Sequence, residues 1–208
     1  MKGSMLVLVC FAGGCLLGQT AWWPEAFASG DWTVWVLYLL MFQVGISIGS
    51  DRNLREVLST LRPGLLLVPL ATMAGTLLFS ALLSLFLSQW TLPECLAVGS
   101  GFAYYSLSSI LITELKEASL GVQLATELGT IALMSNIFRE LFTLLLAPLM
   151  VRFFGPLAPI CAGGATTMDT TLPVIARYSG KDWVFISILH GILVDFSVPF
   201  FVSFFCSL

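Results

Sequence analysis

The chain has 208 residues, of which 58% are hydrophobic and only 10% are charged, with a mean hydropathy of +0.96. Soluble domains are about 45–50% apolar and about 25% charged, so this composition excludes a soluble enzyme and a disordered chain. The net charge of −3 also argues against a nucleic-acid partner. The composition predicts a polytopic membrane protein whose few charges need an explanation.

Apolar runs long enough to cross a bilayer as helices recur along the whole sequence. They comprise residues 3–24, 32–50, 63–88, 95–113, 122–151, 157–176 and 183–206. Lipid admits only helices or closed barrels, and the alternating pattern of a barrel strand is absent. The predicted fold class is therefore all-α, a polytopic integral membrane protein with about seven crossings, forming a single transmembrane domain over residues 1–208. The first run is alternatively a signal peptide cleaved after Ala28, although Trp22 and Trp23 intervene.

The distribution of Lys and Arg predicts the orientation of the chain. With this span order, one side of the membrane holds Lys2, Arg52, Arg55, Arg62, Lys116, Arg177 and Lys181, and the other side holds only Arg152. The positive-inside rule then places the N-terminus in the cytoplasm and the C-terminus outside. A double crossing by residues 122–151 would remove this bias.

Two apolar runs contain glycines followed by a hydroxyl-rich stretch, at residues 99–109 and 163–173. Paired interruptions of this kind are typical of the discontinuous helices that form transporter binding sites. Close helix packing through small residues is the alternative for both stretches. Asp169 and Pro173 favour a break in the second stretch.

A charge near the bilayer centre costs about 2.5–3.5 kcal/mol on insertion scales, so position decides which charges need a role. Asn136, Arg139 and Glu140 lie near the middle of residues 122–151, and Asp169 lies in the middle of its own run. Adjacent helical residues diverge by about 100°, so Arg139 needs a partner other than Glu140, either a carboxylate or a broken-helix carbonyl. Two roles remain open for the carboxylates. Arg139 and Asp169 form a structural ion pair, or Glu140 and Asp169 face an aqueous cavity that binds a cation or protons.

The remaining candidates for chemistry are weak. His190 and Asp195 are five residues apart, which is poor spacing for a joint site, so an interhelical hydrogen bond is the preferred role for His190. Ser100 and His190 do not match an intramembrane serine-protease motif, and the five cysteines lack a metal-ligand spacing. We therefore expect no enzyme activity, no metal and no cofactor.

Four stretches in order resemble the bacterial L-lysine exporter family of the LysO type. They are GSGFAYYSLSSILITE at residues 99–114, Arg139-Glu140-Leu141 followed by Pro148, GATTMDTTLP at residues 164–173, and His190-Gly191 followed by Pro199. The segment Phe42–Gly49 is also similar. The resemblance covers nearly the whole chain.

The resemblance implies export of L-lysine, and of basic analogues such as thialysine, across the cell inner membrane. It also implies a broken-helix fold related to cation/proton antiporters, with the intramembrane acidic pair of the family on Glu140 and Asp169. Longer family members carry a further N-terminal hydrophobic region. Its place would be taken here by a homodimer or by a small, separately encoded membrane partner, unless the chain works alone.

The expected mechanism is proton antiport, because exporting a net cation against an inside-negative potential costs about 2.3 kcal/mol per 100 mV. Backbone amides near Gly101 and Gly164 are candidates for binding the substrate carboxylate. Further candidates are Ser106, Ser108, Thr166 and Thr170 as hydrogen-bonding groups, and Tyr104 or Tyr105 as a cation–π contact. The rival functions are transport of another cation, such as Na⁺ or a different amino acid, and a non-transporting membrane subunit.

Overall fold

The computed structural model describes residues 63–208, together with the isolated helical positions Leu39, Phe42 and Ile46. Every regular element in this part of the chain is helical, which confirms the all-α prediction. The α-helices are α1 (Leu67–Ser84), α2 (Leu92–Gly99), α3 (Tyr105–Leu120), α4 (Val122–Phe154), α5 (Ala158–Gly163), α6 (Leu172–Tyr178) and α7 (Val184–Cys206). Short 3₁₀ helices cover Pro63–Leu66, Gly164–Met168 and Lys181–Trp183. The predicted spans 3–24 and 32–50, and the basic residues before residue 63, lie outside the continuous described range.

Three predicted runs form the long helices α1, α4 and α7. α4 is continuous over 33 residues, so it extends about 50 Å, and residues 122–151 do not fold back as two crossings. In the described part of the chain, two helices are long and apolar enough to span a membrane, Gly64–Ser84 with mean hydropathy 2.0 and Lys181–Cys206 with 1.9. Large apolar side chains such as Phe79 and Phe200 remain exposed on them, as expected of surfaces that face lipid.

The runs 95–113 and 157–176, each predicted as one span, are instead pairs of helices. A capping box between Thr91 and Glu94 begins α2, and α2 ends at Gly99, so a five-residue loop separates it from α3. In the second run, α5 ends at Gly163, a 3₁₀ helix follows from Gly164 to Met168, and α6 begins at Leu172. Small and hydroxyl-bearing residues allow these interruptions because their side chains satisfy backbone groups that a helix would otherwise pair. The location of both pairs inside a bilayer stays a prediction.

The interrupted segments lie between α4 and α7. α4 packs against α2, α3, α5 and α6, and α7 packs against α1, α2, α3, α6 and the 3₁₀ helix Gly164–Met168. Close approach depends on two helical glycines. An added Cβ at Gly129 of α4 would meet Thr113 and the Ser109 carbonyl of α3, and one at Gly191 of α7 would meet Met168. The long helices therefore fix where the two interrupted segments meet.

Candidate functional site

The two loops that interrupt the helices, residues 100–104 and 164–171, meet at one backbone hydrogen bond, and this meeting point is called the loop crossing below. The Ala165 amide donates a hydrogen bond of 2.8 Å to the Phe102 carbonyl, which joins the second loop to the first. Gly164 adopts φ +61, and an added Cβ there would collide with the same carbonyl oxygen. Only glycine combines this backbone conformation with so close an approach. The structure thus brings together the stretches around Gly101 and Gly164 that the sequence singled out.

Asn136 holds the first loop from the side of α4. Its Oδ1 accepts a hydrogen bond of 2.7 Å from the Ala103 amide, and its Nδ2 donates to Ser108 Oγ at 3.2 Å and to the Ala132 carbonyl at 2.8 Å. Ala103 adopts φ +75, a left-handed conformation that a non-glycine residue rarely adopts. Asn136 and Ser108 therefore stabilise the loop, and their polar groups are already bonded to protein.

Asn136→Ala is expected to lower the free energy of unfolding by about 1–3 kcal/mol, because it leaves the buried Ala103 amide without an acceptor. The loss corresponds to about 2–4 °C in thermal midpoint per kcal/mol, measured on the purified protein in detergent. Ser135→Ala is the matched control, since its exposed hydroxyl bonds only to the Ile131 carbonyl within α4. Equal midpoints for the two variants would contradict this role for Asn136.

The backbone amides of the first loop are all occupied. The amides of Ser100 and Gly101 donate to the carbonyls of Leu96 and Val98. The amides of Phe102 and Tyr104 donate to the carbonyls of Gly99 and Gly101, and the Ala103 amide donates to the Asn136 side chain. In the second loop, the Ala165 amide is used by Phe102 and the Thr170 amide by the Asp169 carboxylate at 2.5 Å. In this conformation each amide of the first loop already has a protein acceptor, and binding of a substrate carboxylate near Gly101 and Gly164 stays a prediction.

His190 is fully buried and joins three elements through its ring. Nδ1 lies 3.1 Å from Thr167 Oγ1 of the 3₁₀ helix, and Nε2 lies 3.0 Å from Thr72 Oγ1 of α1. The predicted interhelical hydrogen bond of His190 is confirmed. Thr167 also donates to the Ser187 carbonyl, and Ser187 Oγ donates back to the Thr167 carbonyl. The sequence offered no signal for these partners beyond hydroxyl residues in apolar runs.

Asp195 on α7 lies within electrostatic range of Asp169. Asp169 is exposed at the end of the 3₁₀ helix, whereas the Asp195 side chain on α7 is only 4% exposed. The negative charge of Asp169 acts on the Asp195 carboxyl group, and both carboxylates act on the Tyr104 hydroxyl. Glu140 is half-buried on α4, and its pairing with Asp169 stays a prediction. Asp195 is thus a candidate that sequence reasoning set aside.

Among the other hydroxyl and aromatic candidates, some side chains are buried and others are exposed. Thr166 is buried, and its hydroxyl donates to the Gly163 carbonyl at 2.8 Å and lies 3.3 Å from Thr171 Oγ1, so it serves the loop itself. Tyr105, Ser106 and Thr170 are exposed. Roles in substrate binding for these exposed residues stay predictions.

Arg139 binds helix carbonyls. Nε donates to the Ala162 carbonyl at 2.7 Å, Nη2 to the Cys161 carbonyl at 3.0 Å and Nη1 to Thr76 Oγ1 at 3.3 Å. These carbonyls belong to the last turn of α5, where they lack partners within the helix and carry the negative end of its dipole. Of the two partners expected for Arg139, the broken-helix carbonyl is confirmed. Asp169 is not among its partners in the described part of the chain, so the proposed ion pair is absent there.

A cavity of about 240 Å³ opens between α1, α2 and α4, with Arg139 in its wall. Its polar wall comprises Thr76, Ser80, Ser135, Asn136 and Arg139. Its apolar wall includes Leu83, Trp90, Leu128 and Ile131. The cavity therefore places the positively charged Arg139 side chain next to an apolar surface.

Comparison with known proteins decides the family. The sequence profile of the family described as Lysine exporter LysO matches residues 8–206. The chain belongs to the LysO lysine exporter family. This confirms the resemblance seen in the sequence, and it makes the all-helical fold that of a membrane protein from a transporter family rather than an enzyme family.

Two LysO-type relatives show how much of the family this chain spans. It is 32% identical over 206 residues to the Lysine exporter LysO of Escherichia coli (strain K12), covering 99% of this chain and 63% of that protein. It is 32% identical over 182 residues to the Putative lysine exporter of Haemophilus influenzae (strain ATCC 51907 / DSM 11121 / KW20 / Rd), covering 87% of each. The chain thus spans less than two thirds of the Escherichia coli relative. No solved structure matches it.

Proposed function

We propose that this chain exports L-lysine, with basic analogues such as thialysine, across the cytoplasmic membrane in exchange for protons. The observation that carries the proposal is the match of the lysine exporter family over residues 8–206. Both relatives are named as lysine exporters. The orientation expected from the basic residues, with the N-terminus in the cytoplasm and the C-terminus outside, belongs to the same proposal.

The proposed coupling uses carboxylates that bind either a proton or an ammonium group. Lysine leaves the cell as a net cation, at a cost of about 2.3 kcal/mol per 100 mV, and an entering proton offsets that cost. We place the exchange at Asp169, because it is exposed beside the crossing of the two loops. The influence of the Asp169 charge on the Asp195 carboxyl group supports Asp195 as the second carboxylate. Glu140 stays the alternative second carboxylate on α4.

The proposed architecture sets both interrupted helix pairs inside the bilayer, as discontinuous helices of the antiporter type. The hydrogen bond between Ala165 and Phe102 supports it, because irregular backbone is tolerated at membrane depth where it is buried in protein. A second copy of the chain or a separately encoded membrane subunit is also proposed as a partner.

Uptake of labelled lysine into inverted vesicles that contain this chain alone tests the function. We expect saturable uptake driven by an acidic vesicle lumen and abolished by a protonophore, because export from the cell corresponds to entry into an inverted vesicle. Vesicles without the chain are the control. Uptake that follows a Na⁺ gradient and ignores the pH gradient would replace the proton with another coupling ion. Absence of uptake would show that the chain alone is not an exporter.

A further inference from the structure

Arg139 has more hydrogen-bond donors than the described protein uses. A guanidinium group carries five N–H donors, and the three bonds described above engage Ala162, Cys161 and Thr76. All three acceptors are uncharged, so within residues 63–208 no carboxylate neutralises the arginine. A cation enclosed in this way favours an anionic partner, because its charge is poorly solvated.

The guanidinium is held in a fixed position at the cavity wall. Two bonds attach it to the end of α5, and the third attaches it to Thr76, whose own hydroxyl donates to the Thr72 carbonyl at 2.8 Å. Arginine presents a planar fork that matches a carboxylate, and a fork already held in place loses little freedom when a carboxylate binds. The site is therefore preorganised for a planar anion.

The cavity suits an amino acid with an aliphatic side chain. Polar groups surround Arg139, and Leu83, Leu128 and Ile131 form an apolar wall in the same cavity. A carboxylate next to Arg139 would thus leave the methylene groups of the ligand against apolar side chains, where burial is favourable. The amides of the first loop, which are other candidates for the carboxylate, already bond to protein.

We propose that Arg139 binds the α-carboxylate of the exported amino acid in the cavity between α1, α2 and α4. This inference rests on the proposed function for the identity of the ligand, since lysine carries the carboxylate. It separates recognition of the substrate carboxylate from proton exchange. Arg139 binds the carboxylate in the cavity, whose described lining contains no acidic residue, and the acidic residues near the loop crossing exchange the protons.

The test compares the binding of L-lysine and lysine amide to the purified full chain in lipid nanodiscs by calorimetry. Lysine amide keeps both amino groups but replaces the carboxylate with an uncharged amide. We expect the wild type to bind lysine about tenfold or more tightly than the amide, which is the effect of one charge-assisted hydrogen bond. In Arg139→Gln the two ligands should bind within about twofold of each other. The ratio of the two affinities is measured on the same protein sample, so a loss of folded protein lowers the binding of both ligands equally and does not alter the ratio.

Two further variants complete the experiment. Arg152→Gln removes an exposed arginine from the last turn of the same helix and should keep the wild-type ratio. Arg139→Lys keeps the charge without the fork and should retain an intermediate ratio, which provides a measurement if Arg139→Gln does not fold. Retention of the full wild-type ratio in both Arg139 variants would overturn the inference, as would a wild type that binds lysine no better than the amide. A wild type that prefers lysine but shows no vesicle uptake would leave the inference standing and refute the proposed function.

Discussion

Asp169→Asn is expected to reduce lysine uptake into inverted vesicles by about 100-fold, to the level of vesicles without the chain. Truncating one member of a charge pair costs about 2–5 kcal/mol, and each 1.4 kcal/mol is tenfold. An amide cannot exchange a proton for an ammonium group, so the coupling chemistry is lost with the charge. Asp182→Asn is the matched control, because Asp182 is also exposed but lies in the separate 3₁₀ helix Lys181–Trp183.

The same assay separates the two candidates for the second carboxylate. Asp195→Asn should reduce uptake nearly as much as Asp169→Asn, because the charges of the two residues interact. Glu140→Gln tests the alternative, and a loss of uptake larger than that of Asp195→Asn would assign the second carboxylate to Glu140. Wild-type uptake by a folded Asp169→Asn protein would refute this site.

The stability of these variants distinguishes transport from a structural role. Asp169 is exposed and forms no ion pair with Arg139 in the part of the chain that the structure describes, so its amide variant should fold normally. Loss of folded Asp169→Asn protein, rather than of uptake, would favour a non-transporting subunit. Size-exclusion profiles and thermal midpoints in detergent provide this measurement.

Gly164→Ala is expected to lower the free energy of unfolding by about 2–5 kcal/mol and to abolish lysine uptake. A left-handed conformation costs a residue with a Cβ about 1–2 kcal/mol, and forcing extra atoms into a packed interior costs about 1–3 kcal/mol. Both costs apply at Gly164, whose φ is +61 and whose Cβ would collide with the Phe102 carbonyl. Relief of the collision would separate the two loops and break the hydrogen bond from Ala165. The measurement is the thermal midpoint in detergent, with uptake in vesicles.

Two other glycines separate the cost of the backbone conformation from the cost of the collision. Among the described residues, no atom lies within 4 Å of a Cβ placed on Gly121 or Gly75. Gly121 has φ +80, so Gly121→Ala should show only the conformational cost. Gly75, inside α1, has no positive φ, so Gly75→Ala should not be destabilising. A midpoint for Gly164→Ala no lower than that for Gly121→Ala would show that the loop crossing is not close-packed.

The amino-acid sequence determined the class of the protein, its family and the positions where its helices are interrupted. Hydropathy is a local sum over neighbouring residues, so the helices α1, α4 and α7 could be predicted from the apolar runs in the sequence. Glycine and hydroxyl residues act on their own backbone, so the interruptions after Gly99 and Gly163 were also visible. The insertion cost of a charge likewise depends on position along a run, which singled out Arg139, Glu140 and Asp169.

Only the tertiary structure decided which of these groups meet. Spacing along α4 showed that Arg139 diverges from Glu140, but the carbonyls of Cys161 and Ala162 became its partners through the packing of α5 on α4. Asp195 was set aside because of its spacing from His190, yet the charge of Asp169 acts on it across the loop crossing. Interactions between helices depend on their rotation and separation, which no local window of residues contains. For that reason the sequence predicted the candidate groups, and the packing of the helices decided the pairs that they form.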